Sequence, residues 1–157
     1  MAGSDNDFDF SFAPSETIYG ARAVRLDPVN IKQCYLGSLN AMCVGVTLQQ
    51  SEWAPGGVPN SISGYSAPPF ILAQVGDNSN VPAYGPGRKC LIDVDPAWVG
   101  QLVPNDLIIS SNSGYARRAS PLGPWNQWII GIALSIANPG QSCNELVVIF
   151  PWSPTGS

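Results

Sequence analysis

Residues 126–150 read NQWIIGIALSIANPGQSCNELVVIF, two apolar runs separated by a Pro-Gly turn. Aliphatic and β-branched runs of this length, bounded by turn residues, predict two strands. Gly131 interrupts the first run, although a glycine inside a strand costs roughly 0.5–1 kcal/mol relative to alanine. Such a glycine often marks a bulge, a sharp bend or the close approach of another backbone. Residues 44–48 (VGVTL) repeat the pattern upstream of a second Pro-Gly pair, and two such bends favour a small barrel.

Strand patterns also dominate the rest of the chain. Residues 111–114 (SNSG) have turn chemistry and predict a hairpin that joins the segments on either side. No window of ten or more residues has a convincing helical repeat. The sequence therefore predicts an all-β fold, a small β-barrel or sandwich. The further predicted strands are residues 21–26, 31–38, 41–50, 89–95, 106–110 and 115–119.

Two segments stand apart from this body. Residues 1–16 carry Phe8, Phe10 and Phe12 at alternating positions, which favours an extended N-terminal arm that docks on a neighbouring subunit; a frayed terminus is the alternative. Residues 17–157 then form a single β domain. Within it, residues 51–90 hold six prolines and six glycines and predict a loop-rich insertion in which only residues 69–75 could pair as a strand.

The charge composition limits the classes of partner. Charged residues make up 11% of the chain and the net charge is −4, whereas soluble domains average about 25% charged residues. No basic stripe suits a nucleic-acid backbone, and the basic pair Arg117-Arg118 is interpreted as a solvated or interfacial pair. No apolar run is long enough for a transmembrane helix, and the first residues do not resemble a signal peptide. We expect a protein made in the cytoplasm and covered by protein neighbours, with no nucleic acid or membrane as partner.

The residues for catalysis are sparse. The chain has no histidine, so a Ser-His-Asp or Cys-His site cannot form within it. Asp93 and Asp95 lie two residues apart and could act as paired carboxylates, but a solvent-facing Asp93 and a turn at Asp95 are the favoured interpretation. The four cysteines are expected to be buried thiols rather than a zinc site. We expect no cofactor, no metal and no enzymatic activity.

Aromatic side chains are the candidate partner contacts. Four of the five tryptophans neighbour prolines or loop residues, where they could anchor a subunit interface, form a sugar-binding platform or cap the ends of a barrel. Together with the aromatic residues of the arm, they form the predicted interface set. Its members are Phe8, Phe10, Phe12, Trp53, Trp125, Trp128 and Trp152.

Residues 99–151 resemble the bacteriophage head decoration (capsid cement) proteins of the small β-barrel type. The family pattern is a G-D-x-V strand start, a hairpin with a turn glycine, a G-V-A-L strand, a glycine turn and a final V-x-V strand. The corresponding stretches here are Asn105-Asp106-Leu107-Ile108, Gly114, Gly131-Ile132-Ala133-Leu134, Gly140 and Leu146-Val147-Val148. Asn105 replaces the first glycine of the pattern, and asparagine tolerates similar backbone angles.

The resemblance implies a non-enzymatic virion protein. Such a protein binds the outside of the capsid, with the major capsid protein as its partner, and bridges capsomers, commonly as a homotrimer. Two other functions stay open at this point. One is a carbohydrate- or receptor-binding virion module that uses the exposed tryptophans, and the other is a hydrolase that uses Asp93 and Asp95.

Overall fold

The computed structural model describes residues 10–48, 71–76, 80–120, 127–136 and 143–153. These residues form twelve strands and two short 3₁₀ turns, Pro96–Trp98 and Asn112–Gly114, with no α-helix. The described segments therefore contain no helix that is long and apolar enough to cross a bilayer. The strands are β1 (Phe10–Pro14), β2 (Ile18–Tyr19), β3 (Ala23–Leu26), β4 (Gln33–Leu36), β5 (Gly45–Thr47), β6 (Ile71–Ala73), β7 (Val81–Tyr84), β8 (Lys89–Asp93), β9 (Leu107–Ser110), β10 (Ala116–Arg118), β11 (Ile129–Ala133) and β12 (Cys143–Trp152).

The first half of the fold is a closed barrel in the order β1-β4-β3-β5-β7. Strand β1 pairs parallel with β4 and antiparallel with β7, and the other neighbours are antiparallel. A two-stranded ribbon of β2 and β6 contributes Ile18 and Ala73 to the apolar cluster of the barrel. Closure leaves no free edge among the five barrel strands. The predicted all-β fold with a small barrel is confirmed.

The second half is a five-stranded sheet in the order β10-β9-β11-β12-β8. Its two edge strands meet at one point, where Val94 forms a parallel bridge with Ala116 and the Asp95 amide donates to the Ala116 carbonyl at 2.9 Å. The main apolar cluster lies between the halves, because Ala23, Val46 and Tyr84 of the barrel strands pack with residues of this sheet. The predicted hairpin of β9 and β10 is present.

Gly131 lies where strand β11 is irregular on both sides. Relative to β9, Ile130 is an extra residue, and relative to β12, three residues (149–151) face Ile130 alone. A Cβ at Gly131 would lie 2.7 Å from Leu146 Cδ1 and 2.8 Å from the Val147 carbonyl oxygen. Only a residue without a side chain allows β12 this close. Of the three possibilities that the sequence offered for this glycine, a bulge and a close backbone approach are both present.

Gly45, the other mid-run glycine, serves a related purpose in the barrel. A Cβ there would lie 2.5 Å from the carbonyl oxygen of Tyr84, on the strand β7 that pairs with β5. Both glycines thus mark close backbone approaches, as their positions in apolar runs indicated.

The described part of the expected N-terminal arm belongs to the body of the protein. Phe10, Ser11 and Phe12 pair with β7 of the same chain, and the Phe12 side chain is half-buried against the barrel cluster. In this structure residues 10–14 pair with strands of their own chain, whereas the sequence favoured an arm that docks on a neighbouring subunit. No neighbouring segment of the sequence could pair with residues 10–14 as a hairpin. Their partners are β4 and β7, which lie far away in the sequence. Residues 1–9 lie outside the described residues.

The expected loop-rich insertion also contributes to the barrel. Within residues 51–90, strand β6 forms where pairing was expected, whereas β7 was not predicted because Pro82 interrupts it. In the register of β5 and β7, the Leu48 amide donates to the Pro82 carbonyl at 3.4 Å. The Leu48 carbonyl, which would face the missing Pro82 N–H, accepts from the Ala21 amide at 3.0 Å instead. Proline therefore leaves no acceptor unpaired here, and residues 51–70 lie outside the described residues.

Gly114 and Gly87 give a matched test of close packing. Both have positive φ, 76° and 89°, but a Cβ at Gly114 would lie 2.4 Å from the Ala23 carbonyl oxygen while Gly87 has no heavy atom within 4 Å. We expect Gly87→Ala to lower the free energy of unfolding by about 1–2 kcal/mol, and Gly114→Ala by about 3 kcal/mol or more because overpacking adds to the backbone cost. Urea unfolding measures both values. Equal losses would contradict the close approach at Gly114.

Candidate partner interface

A buried ion pair joins the barrel to the second sheet. Arg22 and Asp93 are both buried, and Arg22 Nε lies 3.1 Å from Asp93 Oδ2. The same guanidinium donates to the Ser113 carbonyl at 3.0 Å and to the Tyr115 hydroxyl at 2.9 Å. Its Cζ lies 3.7 Å from the centroid of the Tyr115 ring. The expectation that Asp93 faces solvent is wrong, because Arg22 lies about 70 residues earlier in the chain and its proximity cannot be predicted from spacing.

Asp95 and a further aspartate, Asp106, also have structural partners. Asp95 accepts from the Ala97 amide at 3.0 Å and from the Ser111 hydroxyl at 2.6 Å, so it caps the first 3₁₀ turn as expected. Asp106 accepts from the Val103 amide and from Arg118 Nε, both at 2.8 Å. Each carboxylate is thus held in place by donors from its own chain, an arrangement that stabilises turns and strand ends.

The basic pair Arg117-Arg118 lies on β10, within the predicted strand 115–119. The two guanidinium carbons lie 5.7 and 5.5 Å from the centroid of the Trp98 ring, within range for a cation–π interaction. Arg118 also forms the ion pair with Asp106. Together these contacts hold the first 3₁₀ turn against the edge of the second sheet.

The four cysteines are buried free thiols, as expected from the sequence. Burial raises the pKa of Cys43 to about 12, against weaker opposing effects of a hydrogen bond from Ser110 and the charge of Arg25. Burial likewise raises the pKa of Cys34 and of Cys143 to about 12. These three thiols are therefore protonated at neutral pH and act as small apolar side chains.

The predicted aromatic interface is only partly described. Trp152 is 42% exposed, whereas Trp128 and Phe12 are half-buried. Phe10 lies in β1, but nothing is described of its side chain. Phe8, Trp53 and Trp125 lie outside the described residues. Phe12 packs against the barrel cluster, whereas Trp128 directly precedes Ile129, the residue that pairs with Trp152 across β11 and β12. The interface set as a whole stays a prediction.

The most exposed described aromatic residue was not in that set. Phe150 is 78% exposed and lies among the extra residues of β12 opposite Ile130. A bulge changes the direction of the side chains within it. The preceding apolar residues of the strand, Leu146 and Val148, are buried. The irregularity therefore ends the alternation of buried apolar side chains, and the side chains of Phe150 and Trp152 are exposed to solvent.

The turn between β3 and β4 carries the most exposed apolar residues of the described chain, and sequence reasoning missed them. We define residues 27–32 (DPVNIK) as the hairpin tip. Val29 is 82% exposed and Ile31 is 87% exposed. Turn chemistry explains Asp27, Pro28 and Asn30, but it does not require two β-branched aliphatic residues. Val29 and Ile31 interrupt the turn residues Asp27, Pro28 and Asn30 in the sequence. This alternation is the sequence feature from which the exposed surface could have been predicted.

Asp27 holds the hairpin tip in one conformation. Its Oδ1 accepts from the amides of Val29 and Asn30 at 2.8 and 3.0 Å, and its Oδ2 accepts from the Asn30 side chain at 2.9 Å and the Ser15 hydroxyl at 2.7 Å. These hydrogen bonds, those from Asn30 first, hold the pKa of Asp27 well below its usual value. On the β1 side, the Ala13 amide donates to the Lys32 carbonyl at 2.9 Å. The tip is therefore fixed both within its own turn and to a neighbouring strand.

The Asp93 carboxyl predicts a specific pH dependence of stability. Burial raises the pKa of Asp93 from 3.8 to about 6, although Arg22 opposes the shift. Between about pH 4 and pH 6 the folded state keeps this proton while the unfolded state loses it, so the contribution of Asp93 to the free energy of unfolding falls as the pH rises. We expect Asp93→Asn, which cannot titrate, to remove this part of the slope. Thermal midpoints at pH 4, 5, 6 and 7 test it, and an unchanged slope in the variant would count against the assignment.

Removal of the Asp27 carboxylate is expected to loosen the hairpin tip alone. In Asp27→Ala, the amides of Val29 and Asn30 lose their acceptor, so we expect their hydrogen exchange to speed up at least about tenfold. Asp106→Ala is the matched control, because it removes a similar acceptor from the Val103 amide and leaves the tip intact. Exchange measured residue by residue by NMR distinguishes the two. Unchanged exchange at residues 29 and 30 would contradict the role given to Asp27.

Comparisons with known proteins identify the fold but no family. No protein-family model matches the chain, and no curated protein matches its sequence. Among solved structures, the chain is similar to the crystal structure of the head fiber gp8.5 N base in bacteriophage phi29, with a TM-score of 0.55 at 12% identity. The match covers 88% of this chain and 91% of that chain. The chain therefore has, along most of its length, the fold of a phage head fiber base.

Proposed function

We propose that this chain is a structural protein of a phage virion that binds the outside of the capsid and stabilises it by bridging capsomers. The observation that carries the proposal is the fold similarity to the base of a phage head fiber, which extends over most of both chains. The resemblance of residues 99–151 to head decoration proteins points to the same class of protein from the sequence. In this proposal the protein acts on the exterior of the virion and catalyses no reaction.

The surface of the chain suits permanent contact with protein neighbours. Only 11% of its residues are charged, and large apolar side chains are exposed at the hairpin tip and at the end of β12. Exposed apolar surface that is rimmed by polar residues commonly marks a protein interface. We take the major capsid protein as the partner that covers it.

The three aspartates support a structural rather than a hydrolytic role. Two of them accept backbone amides at turns, and Asp93 is buried against Arg22. A glycosidase needs two carboxyl groups that face a common substrate site, and these carboxylates instead have separate partners within the fold. The hydrolase hypothesis thus has no support from the geometry of the described residues.

A homotrimer fits this function through multivalency. Each subunit contact with the shell can be of modest strength, because a linked second and third contact forms at a high effective concentration. Avidity of this kind can exceed the affinity of a single site by roughly 10²–10⁴. A bound trimer then connects neighbouring capsomers without any conformational change of its own.

Two measurements test the proposal. Light scattering of the purified chain is expected to give three times the mass of one chain, and the chain is expected to sediment with shells of the major capsid protein encoded in the same genome. Bound shells are expected to withstand a higher temperature than bare shells, because a ligand that binds only the intact shell stabilises it. A monomer that neither sediments with shells nor changes their thermal stability would refute the proposal.

The exposed aromatic pair Phe150 and Trp152 favours one alternative, a carbohydrate- or receptor-binding virion module. Aromatic rings at a surface can stack on sugar rings. A glycan array distinguishes the two functions: binding that is lost in Trp152→Ala would support the alternative, and absence of binding in the wild-type chain would count against it.

A further inference from the structure

We infer that the hairpin tip, residues 27–32, is the plug by which this protein attaches to the shell, and that it enters an apolar socket edged by carboxylates on the major capsid protein. The inference rests on the proposed function and names the contact that carries it. Val29 and Ile31 are the two most exposed apolar side chains among the described residues, ahead of Phe150. The tip and the strands beneath it lie within the continuous described stretch 10–48.

The tip is organised before it meets a partner. The Asp27 carboxylate accepts from the Val29 and Asn30 amides, and the Ser15 hydroxyl of the neighbouring β1 segment donates to Asp27 Oδ2 at 2.7 Å. The Asp27 amide also donates to the Gln33 carbonyl at 2.9 Å. Because the turn is already ordered, binding loses little conformational entropy, which is a general route to higher affinity.

Lys32 of the hairpin tip has a backbone conformation that glycine adopts more easily than lysine does. Lys32 has φ = 62°, in the left-handed region that β-carbon-bearing residues avoid. Its side chain is exposed beside Ile31. A glycine would relieve the backbone cost but would remove the charge next to the apolar side chains. The fold thus accepts a backbone cost at Lys32 while a charged side chain stands beside the exposed aliphatic pair.

The exposed ionic group of the tip is a lysine. The Asp27 carboxylate is buried and accepts four hydrogen bonds from its own turn and Ser15, whereas the Lys32 side chain is exposed. Complementary charges across an interface favour the correct partner and orientation. The Lys32 ammonium group therefore favours an acidic rim in the partner.

A protein socket suits the tip better than a membrane. Two branched aliphatic side chains and a single lysine lack the aromatic residues and the basic cluster by which interfacial segments hold lipid. A convex, rigid element with two aliphatic side chains instead fits a concave apolar pocket, the arrangement in which interface hot spots are found. The partner is therefore a protein pocket that admits Val29 and Ile31 and pairs its edge with Lys32.

The central experiment measures binding of the full chain to shells of the major capsid protein encoded in the same genome. We expect the double variant Val29→Asp/Ile31→Asp to bind at least about tenfold more weakly than wild type, since each buried aliphatic side chain contributes substantially to affinity. Val75→Asp is the matched control, because it places the same charge at another exposed valine, in the turn after β6. Circular dichroism and light scattering check that fold and oligomeric state are unchanged.

Charge reversal tests the rim separately. We expect Lys32→Glu to bind several-fold more weakly at low salt, with the difference shrinking as the salt concentration rises, because rim charges are screened by ions. Lysine and glutamate bear the same cost at positive φ, so the fold is expected to be equally stable. If Lys32→Glu binds shells as tightly as wild type at low salt, the proposal of an acidic rim on the partner is overturned.

The outcomes separate this inference from the proposed function. If wild type binds shells and the double variant binds within about twofold of it, the inference is overturned while the proposed function stands. If the double variant changes the oligomeric state, the tip contacts a sister subunit and the inference is also overturned. Wild type could instead bind vesicles of phosphatidylcholine and phosphatidylserine. If it does, and the double variant does not, the proposal of a protein pocket as the partner is overturned. If wild type does not bind shells at all, the proposed function fails and this inference fails with it.

Discussion

The buried pair of Arg22 and Asp93 is the interaction on which the arrangement of the two halves depends. Arg22 begins the segment that leads into β3 of the barrel, and Asp93 ends β8 of the second sheet. Through its other donors, Arg22 also reaches Ser113 and Tyr115 beside the turn between β9 and β10. A charge inside a protein is tolerated only when it is paired and hydrogen-bonded. The barrel and the second sheet must therefore be positioned so that the Arg22 guanidinium reaches Asp93, Ser113 and Tyr115 at the same time.

The pair acts on geometry more than on net stability. Burial raises the pKa of Asp93 to about 6 even beside Arg22, so the cost of removing the carboxylate from water exceeds what the guanidinium returns. Replacement of such a pair by apolar residues is often neutral or stabilising, whereas loss of one partner is strongly destabilising. Gly114 shows how tightly the arrangement is packed, because a side chain there would meet Ala23 and the Cβ of Arg22. We interpret the pair as the element that fixes the register between the two sheets.

A body fixed in this way can present rigid apolar elements at its surface. The barrel has no free strand edge, and the edges of the second sheet meet at Val94 and Ala116. The edges of the five barrel strands are thus paired within the fold. We interpret side chains at turns and irregular strand ends as the groups that are left for recognition. The hairpin tip and the bulge at Phe150 are such places, and both are ordered by contacts with strands beneath them.

The sequence predicted features whose causes are local. Alternating and continuous apolar runs predicted most of the strands, and the turn at residues 111–114 predicted a hairpin. Gly131 indicated a bulge, a bend or a close backbone approach at its position, and a bulge is present there. Asn105, which replaces a glycine of the family pattern, does take a positive φ of 77°. Strand β7 was not predicted because Pro82 interrupts it. The pairing of β1 was not predicted because residues 10–14 have no partner strand nearby in the sequence. Each is a strand only because the closing barrel supplies neighbours from distant parts of the chain.

The same division holds for the candidate interface. The all-β class, the sparse charge and the presence of apolar residues that need cover follow from composition and from the two-residue repeat of a strand, so they can be read from the chain. Three features depend on the folded arrangement instead: Phe12 packs against the barrel cluster, Asp93 is buried against Arg22, and Val29 and Ile31 are exposed. Exposure and pairing depend on which distant segments meet, and one-dimensional spacing carries no information about that.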